Sequence, residues 1–226
     1  MTVLKRHGNL GALSGVLFVA FFVASLVLGG VLASSPLPMP DAPAAEVARY
    51  YSHNRTAVLV SSSLQAFSAV SLFVFAPCVA AFVRRAGGTS ALPGLTLGGG
   101  VLAAAFLLLS VLLSWVLALV AAGGDFTLVG TLRNLNFLAG GVAHVASLAP
   151  FAGAASIAAL RIKALPRWIS WVGILAATLS LLSLASLIWF PATFFIPLGR
   201  LLSFVWSVAV SIVMVRSGSR EAGARR

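Results

Sequence analysis

The stretch RNLNFLAGGVAHVASLAPFAGAASIAALR, residues 133–161, decides the fold. Between Arg133 and Arg161 it holds 27 residues without a charge. At about 1.5 Å per residue a helix of this length spans roughly 40 Å. That crosses a ~30 Å hydrocarbon core with both ends among the headgroups. Near the middle stands His144, the one ionisable side chain read as deep inside an apolar run, and Pro150 follows six residues later.

The rest of the chain has the same character. Its 226 residues are 60% hydrophobic and only 8% charged, with a mean hydropathy of +1.07. Soluble domains carry about 25% charged residues, so this chain has too few to cover a water-facing surface. The net charge of +11 suggests a nucleic-acid partner at first sight. Position argues against it: the basic residues cluster at the ends of apolar runs, where charge fixes membrane orientation. The single cysteine, Cys78, excludes an intrachain disulfide and a cysteine metal cluster.

Six apolar runs are expected to span a membrane, at about 10–33, 55–85, 95–122, 133–161, 168–190 and 197–215. The fold class is therefore all-α, a polytopic six-helix bundle forming one domain over 1–215. A basic, disordered cytoplasmic tail is expected over 216–226. The basic start and the Val31-Leu32-Ala33 end of the first run also fit a signal peptide cleaved after Ala33, but signal cores span only about 7–15 residues. A retained helix is the preferred reading. With both termini on one side, that side holds eleven Lys and Arg residues and the other four. The excess assigns the termini to the cytoplasm. The sixth run is short, so Arg200 is expected in its first turn, reaching outward.

The longest polar loop, 34–54, carries Pro36, Pro38 and Pro40 and then Asp41-Ala-Pro-Ala-Ala-Glu46. Asp41 reads as a helix cap, with Pro43 and Glu46 in the first turn. A short amphipathic outer helix follows, with Tyr50 and Tyr51 on one face at headgroup level or against the bundle.

The third and fifth runs share a pattern. Leu92-Pro93, Gly100-Val-Leu-Ala-Ala and Leu108-Leu-Ser110 recur as Leu165-Pro166, Gly173-Ile-Leu-Ala-Ala and Leu181-Leu-Ser183. The first run offers Gly15-Val-Leu and Ser25 at the same spacing. Repeated hairpins in one orientation would be related by an axis along the membrane normal; chance recurrence of Gly, Leu, Ala and Ser is the competing explanation. Gly11-x-x-x-Gly15 and Gly94-x-x-x-Gly98 are spaced for close helix contact.

Two sets of residues are candidates for a site. The first is a polar layer, from counting along the helices: His144 lies 11 residues below Arg133, Gln65 10 below Arg55, Ser211 11 below Arg200 and Ser114 11 above Asp125. Ser68 shares the Gln65 face, and Ser147 lies near His144. His144 is expected to face inward within hydrogen-bond or one-water reach of Gln65, Ser68 or Ser114. An ionisable group at this depth points to function; a histidine that simply ties helices together is the plainer reading. The second set is at the outer face. Arg55, Arg133 and Arg200 are each expected to open one of the three outside-to-inside helices, where a cation opposes the macrodipole. Asp125, Glu46, lipid phosphate or an anion would compensate them, unless they only reach for headgroups.

The segment DAPAAEVARYYSHNR, residues 41–55, and the segment LPRWISWVG, residues 165–173, resemble small polytopic membrane proteins of actinobacteria grouped as a domain of unknown function. The resemblance implies a six-helix protein of the bacterial inner membrane and supplies no catalytic residues. No carboxylate lies within a span, and no metal-ligand, P-loop or dinucleotide motif is present. Neither a catalytic residue, a metal nor a cofactor is expected. The expected role is non-enzymatic: a structural or accessory subunit with a protein partner, or a binder of lipid or an apolar small molecule. The alternatives are a small transporter with its site around His144 and, more remotely, an intramembrane enzyme.

Overall fold

The structure, a computed structural model, describes residues 2–85 and 91–223, with side chains over 11–85 and 91–217. It is all-α, and six helices are long and apolar enough to cross a membrane. Helix α1 (Thr2–Leu32) leads through a proline-rich loop to the short α2 (Ala44–His53) and then to α3 (Arg55–Arg85). After α4 (Leu92–Val120) come α5 (Phe126–Asn136), a π-helical segment (Phe137–Ala143) and α6 (His144–Ile162), which together make one crossing. Helices α7 (Arg167–Leu182) and α8 (Phe195–Gly223) complete the bundle.

Local chemistry sets these boundaries. Asp125 caps α5 by accepting the Leu128 N–H at 3.0 Å. Gly124, at φ 78°, makes the left-handed turn before it. Pro166 precedes the first residue of α7, and Pro93 stands in the first turn of α4, where its missing N–H costs nothing. The expected outer helix is α2, but it begins after Pro43, and no side chain caps it; Asp41 lies three residues upstream.

The spans pack in chain order as a closed ring: α1 on α3, α3 on α4, α4 on α6, α6 on α7, α7 on α8, and α8 back on α1. In the middle, α6 also meets α3 and α8. Three buried rings meet there. Phe75 of α3 and Phe151 of α6 are 5.9 Å apart, and Phe151 and Trp206 of α8 are 5.3 Å apart, both pairs edge to face. Such pairs contribute roughly 0.5–1.5 kcal/mol beyond area burial.

The repeat read from the sequence has a structural counterpart in this ring. A Cβ on Gly15 would strike Phe75, one on Gly100 would strike Phe151, and one on Gly173 would strike Trp206. Each glycine lets its own helix close onto the aromatic residue of a neighbour. Gly11 is similarly tight, against Cys78, but Gly94 and Gly98 face open space and make no close contact.

Three expectations about spans need correction. The fourth crossing begins at Phe126, so Arg133 sits two turns inside a helix rather than at its start. The sixth runs Phe190–Ser217 and is not marginal; Arg200 lies beyond the first turn of α8. The chain expected to be disordered from Arg216 continues as α8 to Gly223, and 224–226 lie outside the described residues.

Candidate functional site

On the face away from the termini, the loop after α1 and helix α2 roof a cavity of about 490 Å³. Its walls come from α1, α3 and α4. Ser25, Ser61, Ser62, Gln65 and Ser114 line it from the bundle, and Tyr50 and Tyr51 line it from the roof. Leu26 and Val58 add apolar patches, and no charged side chain lines it. Ligand pockets are typically ~300–1,000 Å³, so the space fits a small molecule. The lining offers hydroxyl and amide groups for hydrogen bonds. It presents no paired acid and base, and among the described residues no group of His, Cys, Asp or Glu is placed to hold a metal.

The roof is tied down at several points. Asn54 accepts the Ser34 N–H at 2.7 Å and the Ser34 hydroxyl at 2.9 Å, and donates to Ser35 Oγ at 3.2 Å. Arg133, only 9% exposed, donates from Nη2 to the Pro38 carbonyl at 3.0 Å. Ser114 and Arg133 both favour the ionised form of the buried Tyr51 hydroxyl. Asn136 continues the network into the bundle: it donates to Ser114 Oγ and accepts from Ser110 Oγ, each at 2.6 Å. Burial pushes both tyrosine hydroxyls above the ordinary value. For Tyr50 the adjacent Tyr51 adds to the rise and Arg133 opposes it; for Tyr51 both Arg133 and Ser114 oppose it.

A second polar level lies deeper. His144 is fully buried, and its Nδ1 stands 2.9 Å from the Ala103 carbonyl of α4. In an α-helix its backbone N–H would bond Gly140 O. At the end of the π-helical segment it is shared between Ala139 O and Gly141 O instead. The Gly140 carbonyl accepts a hydrogen bond from Arg200 Nη2, and the guanidinium lies 5.1 Å from the centre of the Phe22 ring. Gly140 has no room for a side chain, because a Cβ would run into Ser110.

The candidate residues thus separate into different places. Gln65 and Ser114 belong to the cavity, and neither bonds His144. Ser68 donates to Phe18 O at 2.7 Å, Ser147 to Ala143 O at 2.7 Å and Ser211 to Ser207 O at 2.8 Å. The residues at the His144 level are Ser68 and Arg200. Ser68, His144 and Arg200 precede the ring residues Phe75, Phe151 and Trp206 by seven, seven and six positions, a rise of about 10 Å. Ser211 lies on the other side of that ring. The counted layer was displaced because Arg133 and Arg200 do not open their helices.

At the outer face, Arg55 does open α3 and is exposed, as are Glu46 and Asp125. Asp125 serves as the α5 cap, and among the described residues none of the five outer candidates forms an ion pair. The arginine partners are the backbone carbonyls of Pro38 and Gly140 and the Phe22 ring. Sequence reasoning did not single out Asn54, Tyr51 or Asn136 as site residues. The one signal for Asn136 was an amide two positions from the start of a long uncharged run. Comparison with family models, with curated proteins and with solved structures finds no match to this chain.

Proposed function

We propose that this integral, multi-pass membrane protein is a non-enzymatic binder of a small, uncharged, amphiphilic molecule, held in the cavity under the 33–54 loop. The observation that carries this reading is the lining itself: hydroxyls, one amide and apolar side chains around about 490 Å³, with no charge. A charged ligand would lose its hydration there without a counter-charge. The serine nearest His144 in sequence, Ser147, is engaged with its own helix, which supports the non-enzymatic reading. The eleven-to-four distribution of basic residues supports cytoplasmic termini and an outward-facing cavity. The actinobacterial resemblance supports a bacterial inner membrane. Packing of α1 against α3 and α8 supports a retained first helix. Lipid is the solvent in this reading, and a protein partner would approach from the membrane.

Purification in mild detergent followed by native mass spectrometry tests the reading. The wild-type protein should carry a small molecule that Ser61→Phe, which fills the cavity, no longer retains. Equal retention by both, or an empty wild type, defeats it.

A small transporter working at the His144 level is the second reading, favoured by the π-helical segment beside His144 and Arg200. It requires solute flux in reconstituted vesicles that His144→Gln abolishes while the fold persists.

A further inference from the structure

His144 and Arg200 present each other with a matched pair of polar atoms. A carbonyl only accepts, so the hydrogen in the His144–Ala103 bond sits on Nδ1. Nε2 of the neutral ring is then a bare acceptor. It lies on the ring edge away from the Ala103 carbonyl, fully buried, with no protein partner among the described residues. Arg200 is complementary. Nη2 is used on the Gly140 carbonyl, while its buried Nε–H has no protein acceptor among the described residues.

The fold brings the two together. Gly140 is one turn before His144 on the same crossing, and helical side chains lean toward the helix N-terminus. The imidazole therefore leans toward the level of the Gly140 carbonyl that holds the guanidinium. Ser203 and Ser207 follow Arg200 at positions three and seven, on one face of α8, and both hydroxyls are buried without a protein partner among the described residues. Other serines in these helices, such as Ser147 and Ser211, donate to their own backbone instead.

We propose that a bound water bridges Arg200 Nε–H and His144 Nε2, accepting from the guanidinium and donating to the ring, with the Ser203 hydroxyl as its third neighbour. Buried waters typically make about three hydrogen bonds, and these three groups supply them. A metal cation is opposed by the guanidinium, and an anion by the imidazole lone pair; water has both the donor and the acceptor the pair requires. The π-helical segment builds the site, because it diverts the His144 N–H and leaves the Gly140 carbonyl to anchor Arg200.

Solid-state NMR on protein in lipid bilayers tests this directly. With His7→Gln and His53→Gln in place, ¹⁵N-histidine labelling reports His144 alone. The expected result is a neutral ring protonated at Nδ1, an Nε2 shift typical of an accepted hydrogen bond, and rapid polarisation transfer from water to Nε2. Arg200→Met should slow that transfer several-fold. An Nε2–H tautomer, a direct coupling of Nε2 to the guanidinium, or no transfer from water in the wild type would overturn the proposal. So would equal transfer with and without the guanidinium. The wild-type spectrum is decisive even if Arg200→Met fails to fold.

Discussion

Arg133 Nη2 donates to the Pro38 carbonyl at 3.0 Å, joining the fourth crossing, two turns from its start, to a loop 95 residues earlier. A buried guanidinium held by a backbone carbonyl serves here as a latch on the cavity roof. Hydrogen bonds to charged groups contribute about 1.5–3 kcal/mol. Arg133→Gln should therefore lower stability by roughly that amount, and limited proteolysis should cut faster within residues 34–43. An unchanged cleavage rate would remove the latch role.

The glycines divide by what faces them. A Cβ at Gly100 meets Ala76 and Phe151, while one at Gly98 meets nothing within 4 Å. Gly100→Ala should destabilise by roughly 1–3 kcal/mol through overpacking. Gly98→Ala should be neutral or stabilising by up to about 1 kcal/mol, as expected for an open helical site. Thermal unfolding of the two variants in one detergent compares them; equal effects would contradict the packing.

Asn136 satisfies two serines at once, bonding Ser110 and Ser114 at 2.6 Å each. Asn136→Ala should cost about 1–3 kcal/mol by leaving buried polar groups unpaired. Adding Ser110→Ala and Ser114→Ala should recover part of that loss. A triple variant no better than the single one would mean the cost is packing alone.

Tyr50 and Tyr51 predict an alkaline limit. Both hydroxyls titrate above the ordinary value of 10.0 because burial disfavours the phenolate. Below that pH both the folded and the unfolded chain hold these protons, and the tyrosines add no pH dependence. Above about pH 10 the unfolded chain releases them first, so stability falls until the folded values are passed. The Tyr50→Phe, Tyr51→Phe double variant should show a flatter alkaline limb in pH-dependent unfolding. An unaltered limb would assign the loss to other groups.

The six crossings were legible because a bilayer allows only helices with every backbone group paired internally, and this constraint shows directly as apolar length. The short outer helix and the matched glycines at 15, 100 and 173 were legible for related reasons of local pattern. Depth was not. It was counted from Arg133 and Arg200 as first residues, on the premise that cations stay at helix ends. Both go inside because distant carbonyls, at Pro38 and Gly140, accept from them. No local pattern encodes those partners. The π-helical segment was also hidden, since Gly140-Gly141 is its only mark and the same pair would suit a packing contact.

Chain-order packing has a consequence for synthesis. The ring closes only where α8 meets α1: Phe204 packs edge to face against Phe18 at 5.2 Å and tilted against Phe22 at 5.0 Å. The first helix enters the bilayer while its last partner is still on the ribosome. Until α8 arrives, the nascent bundle is an open arc whose leading edge is a pair of phenylalanines facing lipid. Arg200 reaches the Gly140 carbonyl with that same final helix, so its charge enters the membrane in the step that seals the arc.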